Sequence, residues 1–163
     1  MKKIWFGALI VLGFLACEKD DICDGGDSET PNVVISMFDY NNSELLKPAA
    51  KVCIIADNYT DTIVYKQTSR IELPLQITTN ETGWRVLLYQ PTATNDTIIL
   101  TDHLNFNYQT NEVYVSKACG YKVNFTDFST TKDNATSKSW IQSISLLTNE
   151  IINEDNAHVQ LFY

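Results

Sequence analysis

The side chains in this sequence that could form covalent bonds, ligate a metal or move a proton are few. They are four cysteines, two histidines and a surplus of carboxylates, with 20 Asp and Glu against 12 Lys and Arg. His103 and His158 are too few and too far apart to build a histidine-rich metal site. His103 is expected in a loop after Asp102, and His158 at the start of the last strand. No glycine-rich phosphate loop and no Gly-x-Ser-x-Gly elbow is present. Adjacent carboxylates such as Glu154 and Asp155 fall in a predicted turn, where water solvates them. A glycosidase-type carboxylate pair is defined by spatial and not sequential distance, so a hydrolase built on distant carboxylates stays open. No cofactor is implied. The thiols therefore carry most of the legible chemistry, beginning with Cys17.

Cys17 follows Lys2 and Lys3, an apolar stretch over residues 4–16, and a small residue, Ala16, at the cut position. The apolar stretch is shorter than the ~20 residues needed to span a bilayer as a helix, and it fits a secretory signal segment. Residues 1–16 are thus expected to be removed. The site resembles a bacterial lipobox, with Phe14 and Leu15 departing from its usual pattern of Leu and then a small residue. That resemblance implies that the Cys17 thiol takes up diacylglycerol, with each buried CH₂ of acyl chain adding about 0.8 kcal/mol to membrane attachment. The simpler alternative is an ordinary secretory signal that happens to precede a cysteine.

Glu18, Lys19, Asp20 and Asp21 resemble the short acidic run that directs Bacteroidota lipoproteins to the cell surface; a solvated spacer is the alternative. The run from Cys17 through Asp20 and Asp21 to Cys23, Thr30-Pro31, and the later Ala118-Cys119-Gly120-Tyr121-Lys122 together resemble a family of uncharacterised Bacteroidota surface lipoproteins. The resemblance implies a compact β domain and no assigned activity. The implied location is the outer membrane, with the protein anchored through Cys17 and facing the exterior, or alternatively the periplasm.

Residues 17–32 read as a lipidated acidic tether. Asp20, Asp21, Asp24 and Asp27 lack the ligand spacing of a calcium loop. Residues 33–163 read as a single domain. Loss of the signal segment removes Lys2 and Lys3 and takes the net charge from −8 to −10. That charge repels phosphate backbones, so nucleic acid is excluded as a partner and the lipid on Cys17 must supply the membrane contact. An envelope protein or a glycan is the remaining class of partner.

The elements that must position these residues are strands. Apolar alternation with β-branched and aromatic residues recurs at close spacing, which predicts an antiparallel β-sandwich. The expected architecture is immunoglobulin-like in general form only. Trp84 lies too far from Cys53, and Lys117 stands where a true immunoglobulin domain has Tyr. Strands are expected at 33–39, 51–56 (buried on both faces), 62–66, 70–78, 84–90 and 97–101, with another through Leu104, Phe106 and Tyr108. Residues 112–128 form two more, joined or bulged at Cys119-Gly120. Pro74 should hold its strand at a sheet edge. Residues 129–138 read as a loop, and 140–150 as a strand in preference to a helix, pairing with 157–163 as a hairpin.

With Cys17 committed to lipid, Cys23, Cys53 and Cys119 remain in an oxidising compartment. Cys53 sits in the run Val52-Cys53-Ile54-Ile55, where a thiol serves as a small core group. The favoured pairing is Cys23 with Cys119, and the alternative is Cys53 with Cys119. Trp84, Tyr89, Tyr108, Tyr114 and Tyr121 lie on predicted strands. On an exposed face they could stack on sugars, although core packing is the commoner use of such residues. Thr62 in Asp61-Thr62-Ile63 and Thr97 in Asp96-Thr97-Ile98 resemble Bacteroidota O-glycosylation sites, or else are ordinary strand starts.

Overall fold

A computed structural model describes residues 23, 28–92, 94, 96–133 and 138–163. Residues 1–16, the lipidation position Cys17 and the acidic run Glu18, Lys19, Asp20 and Asp21 lie outside the described residues. The chain divides into two compact units. Thr30–Glu112 with Val123–Tyr163 forms the larger one. The described part of the smaller one is Cys23, Ser28, Glu29 and Val113–Lys122.

The fold is all-β. Its strands are β1 (Val33–Asp39), β2 (Asn42–Leu46), β3 (Ala49–Ala56), β4 (Thr62–Thr68), β5 (Arg70–Leu73), β6 (Glu81–Pro91), β7 (Thr97–Ser116), β8 (Gly120–Asp133), β9 (Ser143–Leu146) and β10 (Val159–Phe162). One sheet runs β2-β1-β10-β9, with β5 also pairing to β1. The other runs β4-β3-β6-β7-β8. The two pack face to face as a sandwich. Alternation along each strand supplies the interior. Val33, Ile35 and Met37 of β1, Ile71 and Leu73 of β5, and Val159 and Leu161 of β10 meet Val52 and Ile54 of β3, Trp84, Val86 and Leu88 of β6, and Leu104, Phe106 and Tyr108 of β7. β3 is indeed buried on both faces at its centre, since Val52, Cys53 and Ile54 are all covered.

Several expectations need correcting. The sheets are not wholly antiparallel, because β1 and β10 run parallel, Ile35 opposite Val159. These strands come from opposite ends of the domain, so no hairpin dictates their direction. The two strands expected at 97–101 and 104–108 are one, β7, and His103 lies inside it and not in a loop. Asp102 interrupts the apolar pattern chemically but keeps its phase with Leu100 and Leu104. β8 runs on through the polar residues to Asp133, where a loop was expected. Phe125 and Phe128 are both buried although three residues apart, because Asp127 between them takes φ 50° and resets the face. The strand expected over 70–78 stops at Leu73, before Pro74, and Ile77 is exposed. No strand was expected between 39 and 51, yet β2 begins at Asn42. Residues 143–146 form a strand that pairs with β10 as a hairpin, Leu146 opposite Val159.

In the smaller unit Cys23 is disulfide-bonded to Cys119, with Cα atoms 5.0 Å apart. Cys53 is a buried free thiol, so no immunoglobulin-type bridge joins Cys53 to Cys119.

Candidate functional site

Thr62 and Thr97 are each the first residue of an exposed strand start, and Asp96 Oδ1 accepts the Thr97 N–H at 2.9 Å. His158 is buried, and its Nδ1 accepts the Val34 N–H at 2.9 Å. Burial pushes its pKa below the ordinary histidine value, which keeps that acceptor unprotonated. Glu154 is not a solvated turn residue. Its Oε1 accepts the Asn32 N–H at 2.6 Å and the Asn32 Nδ2 at 2.8 Å, pinning the entry to β1. Of the strand aromatics, Trp84 and Tyr108 belong to the core, while Tyr114 and Tyr121 are exposed.

The structure gathers side chains that the sequence scatters. His103 Nε2 lies 2.9 and 2.8 Å from the two carboxylate oxygens of Asp57, and its Nδ1 lies 3.1 Å from Asp133 Oδ2. The Nδ1 contact lacks hydrogen-bond alignment. Gly83 makes room for this arrangement, because a Cβ there would stand 2.0 Å from Asp57 Oδ2. Both ring nitrogens face carboxylates of the protein, so the imidazole ties the turn after β3 to β7 and β8 and is not presented to a ligand. Among the described residues no three histidine, cysteine or acidic side chains converge to hold a metal ion.

Asp102 is a second cluster that sequence reasoning missed. Its side chain is fully buried. It accepts hydrogen bonds from Ser139 Oγ at 2.6 Å, Trp140 N at 2.7 Å and Ile141 N at 2.8 Å, with Lys132 Nζ 3.7 Å away. Lys132 in turn donates to the Ile141 carbonyl at 2.7 Å. A buried carboxylate so fully engaged holds the 139–141 segment in place. That segment carries Trp140 to one end of the sandwich.

At that end lies an open cleft of about 360 Å³, whose lining includes Lys47, Tyr89, Gln90, Trp140, Gln142 and Tyr163. The Trp140 and Tyr163 rings stand edge to face with centroids 5.1 Å apart. The indole is fixed by its Nε1–H, which donates to the Val86 carbonyl at 3.1 Å. Lys47 Nζ sits 4.4 Å over the Tyr163 ring, donates to Tyr163 O at 2.7 Å and pairs with Asp39 at 3.2 Å. Tyr163 Oη donates to the Lys47 carbonyl at 3.1 Å. Burial, with the nearby Asp39 charge, pushes the Tyr163 pKa up to about 12. The Asn41 N–H and the Lys47 ammonium hold Asp39 below the usual carboxylate range. Trp140 is buried at the cleft floor, so what the cleft offers is the half-buried Tyr89 and Tyr163 rings, the two exposed primary amides of Gln90 and Gln142 and a neutral phenol, and the carboxylate behind Lys47 is ionised and already paired. A separate, more apolar cleft of about 250 Å³ is lined by Tyr59, Ile63, Leu75 and Trp84 with Asp61.

No curated protein and no solved structure matches this chain. A family model matches residues 51–163, which takes in β4 to β10 and most of β3, and the chain belongs to that family, DUF6452, a family of unknown function.

Proposed function

We propose that this member of a family of unknown function is a Bacteroidota-type outer-membrane lipoprotein. In this reading Cys17 carries the lipid, and Glu18, Lys19, Asp20 and Asp21 direct export to the cell surface. The sandwich is a non-catalytic binding module for a glycan of the envelope. The observation that carries the binding role is the aromatic and amide cleft around Trp140, Tyr163, Gln90 and Gln142. Sugars present C–H faces that stack on rings and hydroxyls that pair with amides, and the Lys47 charge in this lining is already paired with Asp39. Asp39, the carboxylate behind Lys47, stays ionised, which suits an electrostatic brace and not a general acid.

Two experiments test the two halves. A fatty-acid probe should label the protein in its host but not the Cys17→Ser variant, and equal labelling of both would remove the anchor. Titration with muropeptide, O-antigen and capsular oligosaccharides should shift the NMR signals of Trp140 and the Gln90 and Gln142 side-chain amides. Gln142→Ala should weaken that response. Shifts confined to other surfaces would reject this cleft, and turnover of any of these glycans would favour the hydrolase reading.

A further inference from the structure

The Cys23–Cys119 bridge links the tether to a β-hairpin tip of unusual composition. Val113–Lys122 closes β7 onto β8, and Cys23 is covalently bound to its turn. On its two strands Tyr114 and Tyr121 are 58% and 68% exposed, with ring centroids 5.3 Å apart at 68°. An edge-to-face tyrosine pair across a hairpin stabilises the pairing of its strands. That alone does not require so much of both rings to stand in solvent. The same ten residues carry Lys117 and Lys122 and no Asp or Glu, in a chain with 20 acidic and 12 basic residues.

We propose that Tyr114 and Tyr121 form an interfacial foot that rests in the headgroup layer of the membrane to which the protein is anchored. The proposal rests on the reading of Cys17 as the lipidated residue. Cys23 lies six positions after Cys17. Even fully extended, that stretch reaches about 22 Å, so the bridge holds the hairpin turn close to the acylated end of the chain. Tyrosine, with an apolar ring and a polar tip, favours the boundary between water and hydrocarbon. Lys117 in the turn places a positive charge beside an anionic leaflet. The lipid then supplies the anchor, and the foot sets the orientation of the hairpin against the bilayer.

The test uses the mature, acylated protein with Tyr121→Trp, reconstituted in phosphatidylethanolamine–phosphatidylglycerol vesicles with and without lipids brominated near the headgroup end of the acyl chains. Its own Trp84 and Trp140 are buried and give a constant background, measured on the unsubstituted protein. The expected result is an approximately twofold or greater loss of the added emission in brominated vesicles. Adding Cys23→Ser, which frees the tip from the anchor, should largely abolish that loss. Equal emission at position 121 in both vesicle types, with acyl chains on Cys17 verified by mass, overturns the foot and leaves the anchor standing. A Cys17 without acyl chains overturns both.

Discussion

Cutting the Cys23–Cys119 bridge should cost far less than its sequence separation suggests. The bridge closes a loop of 96 residues, which in the chain-entropy model restricts the unfolded state by about 4.7 kcal/mol. The folded state, however, also gives up freedom to the bridge. With the bridge cut, the tether is still held at Thr30, whose Oγ1 accepts the Val123 N–H at 2.9 Å. Along the folded chain only about 11 residues then separate the two thiols, from Cys23 to Thr30 and from Val123 back to Cys119. Closing that short loop is a native-state cost. The net stabilisation follows the logarithm of the ratio of the two lengths, roughly ninefold, and comes to about 2 kcal/mol. Cys23→Ser and Cys119→Ser should therefore each lower the urea midpoint by about 1 M, for a slope near 2 kcal/mol/M. The double variant should be no worse than either single one, because both remove the same bridge. Cys53→Ala, which removes only a small buried group, should cost about 1 kcal/mol. A loss above about 4 kcal/mol for either bridge variant, or single variants that differ clearly from one another, would refute the reasoning.

Three further outcomes are expected. Asp102→Ala leaves the Trp140 and Ile141 amides and Lys132 without their carboxylate, and should lower unfolding free energy by about 3–5 kcal/mol; a loss under 1 kcal/mol in urea titration would contradict the bracing role. Because burial depresses the folded pKa of His158, the unfolded chain takes up its proton first as pH falls. The stability this histidine contributes is complete above about pH 6.5 and is lost as pH drops through the folded value. Urea unfolding across that window should slope upward with pH in the wild type and less so in His158→Asn. Gly83→Ala should drive Asp57 off His103, since the added methyl would stand 2.0 Å from its Oδ2. A crystal structure of that variant with Asp57 still on the imidazole would show that the glycine is not needed there.

By itself the sequence determined the strand class, the approximate position of most strands and the favoured cysteine pair. These depend on local alternation and on the apolar setting of Cys53, both of which are properties of neighbours along the chain. The strands at 33–39 and 84–90 were legible for that reason, whereas the stop before Pro74 was not, because the alternation of Leu73, Leu75 and Ile77 continues past it. Tertiary structure alone decided whether polar residues would be tolerated inside strands. Asp102 and His103 read as a break, yet Asp102 is buried because Lys132 and the donors of Ser139, Trp140 and Ile141 come to meet it. Likewise β8 continues past Phe128 because β7 lies beside it as a partner. The cleft was the least legible part. Lys47 and Tyr163 are 116 residues apart, and they meet Trp140 only where the parallel pairing of β1 and β10 carries the end of the chain back to its beginning. Alternation tells which face of a strand is apolar. Which strands lie side by side, and which polar groups they leave at the rim, depends on long-range pairing and desolvation that no short window of sequence contains.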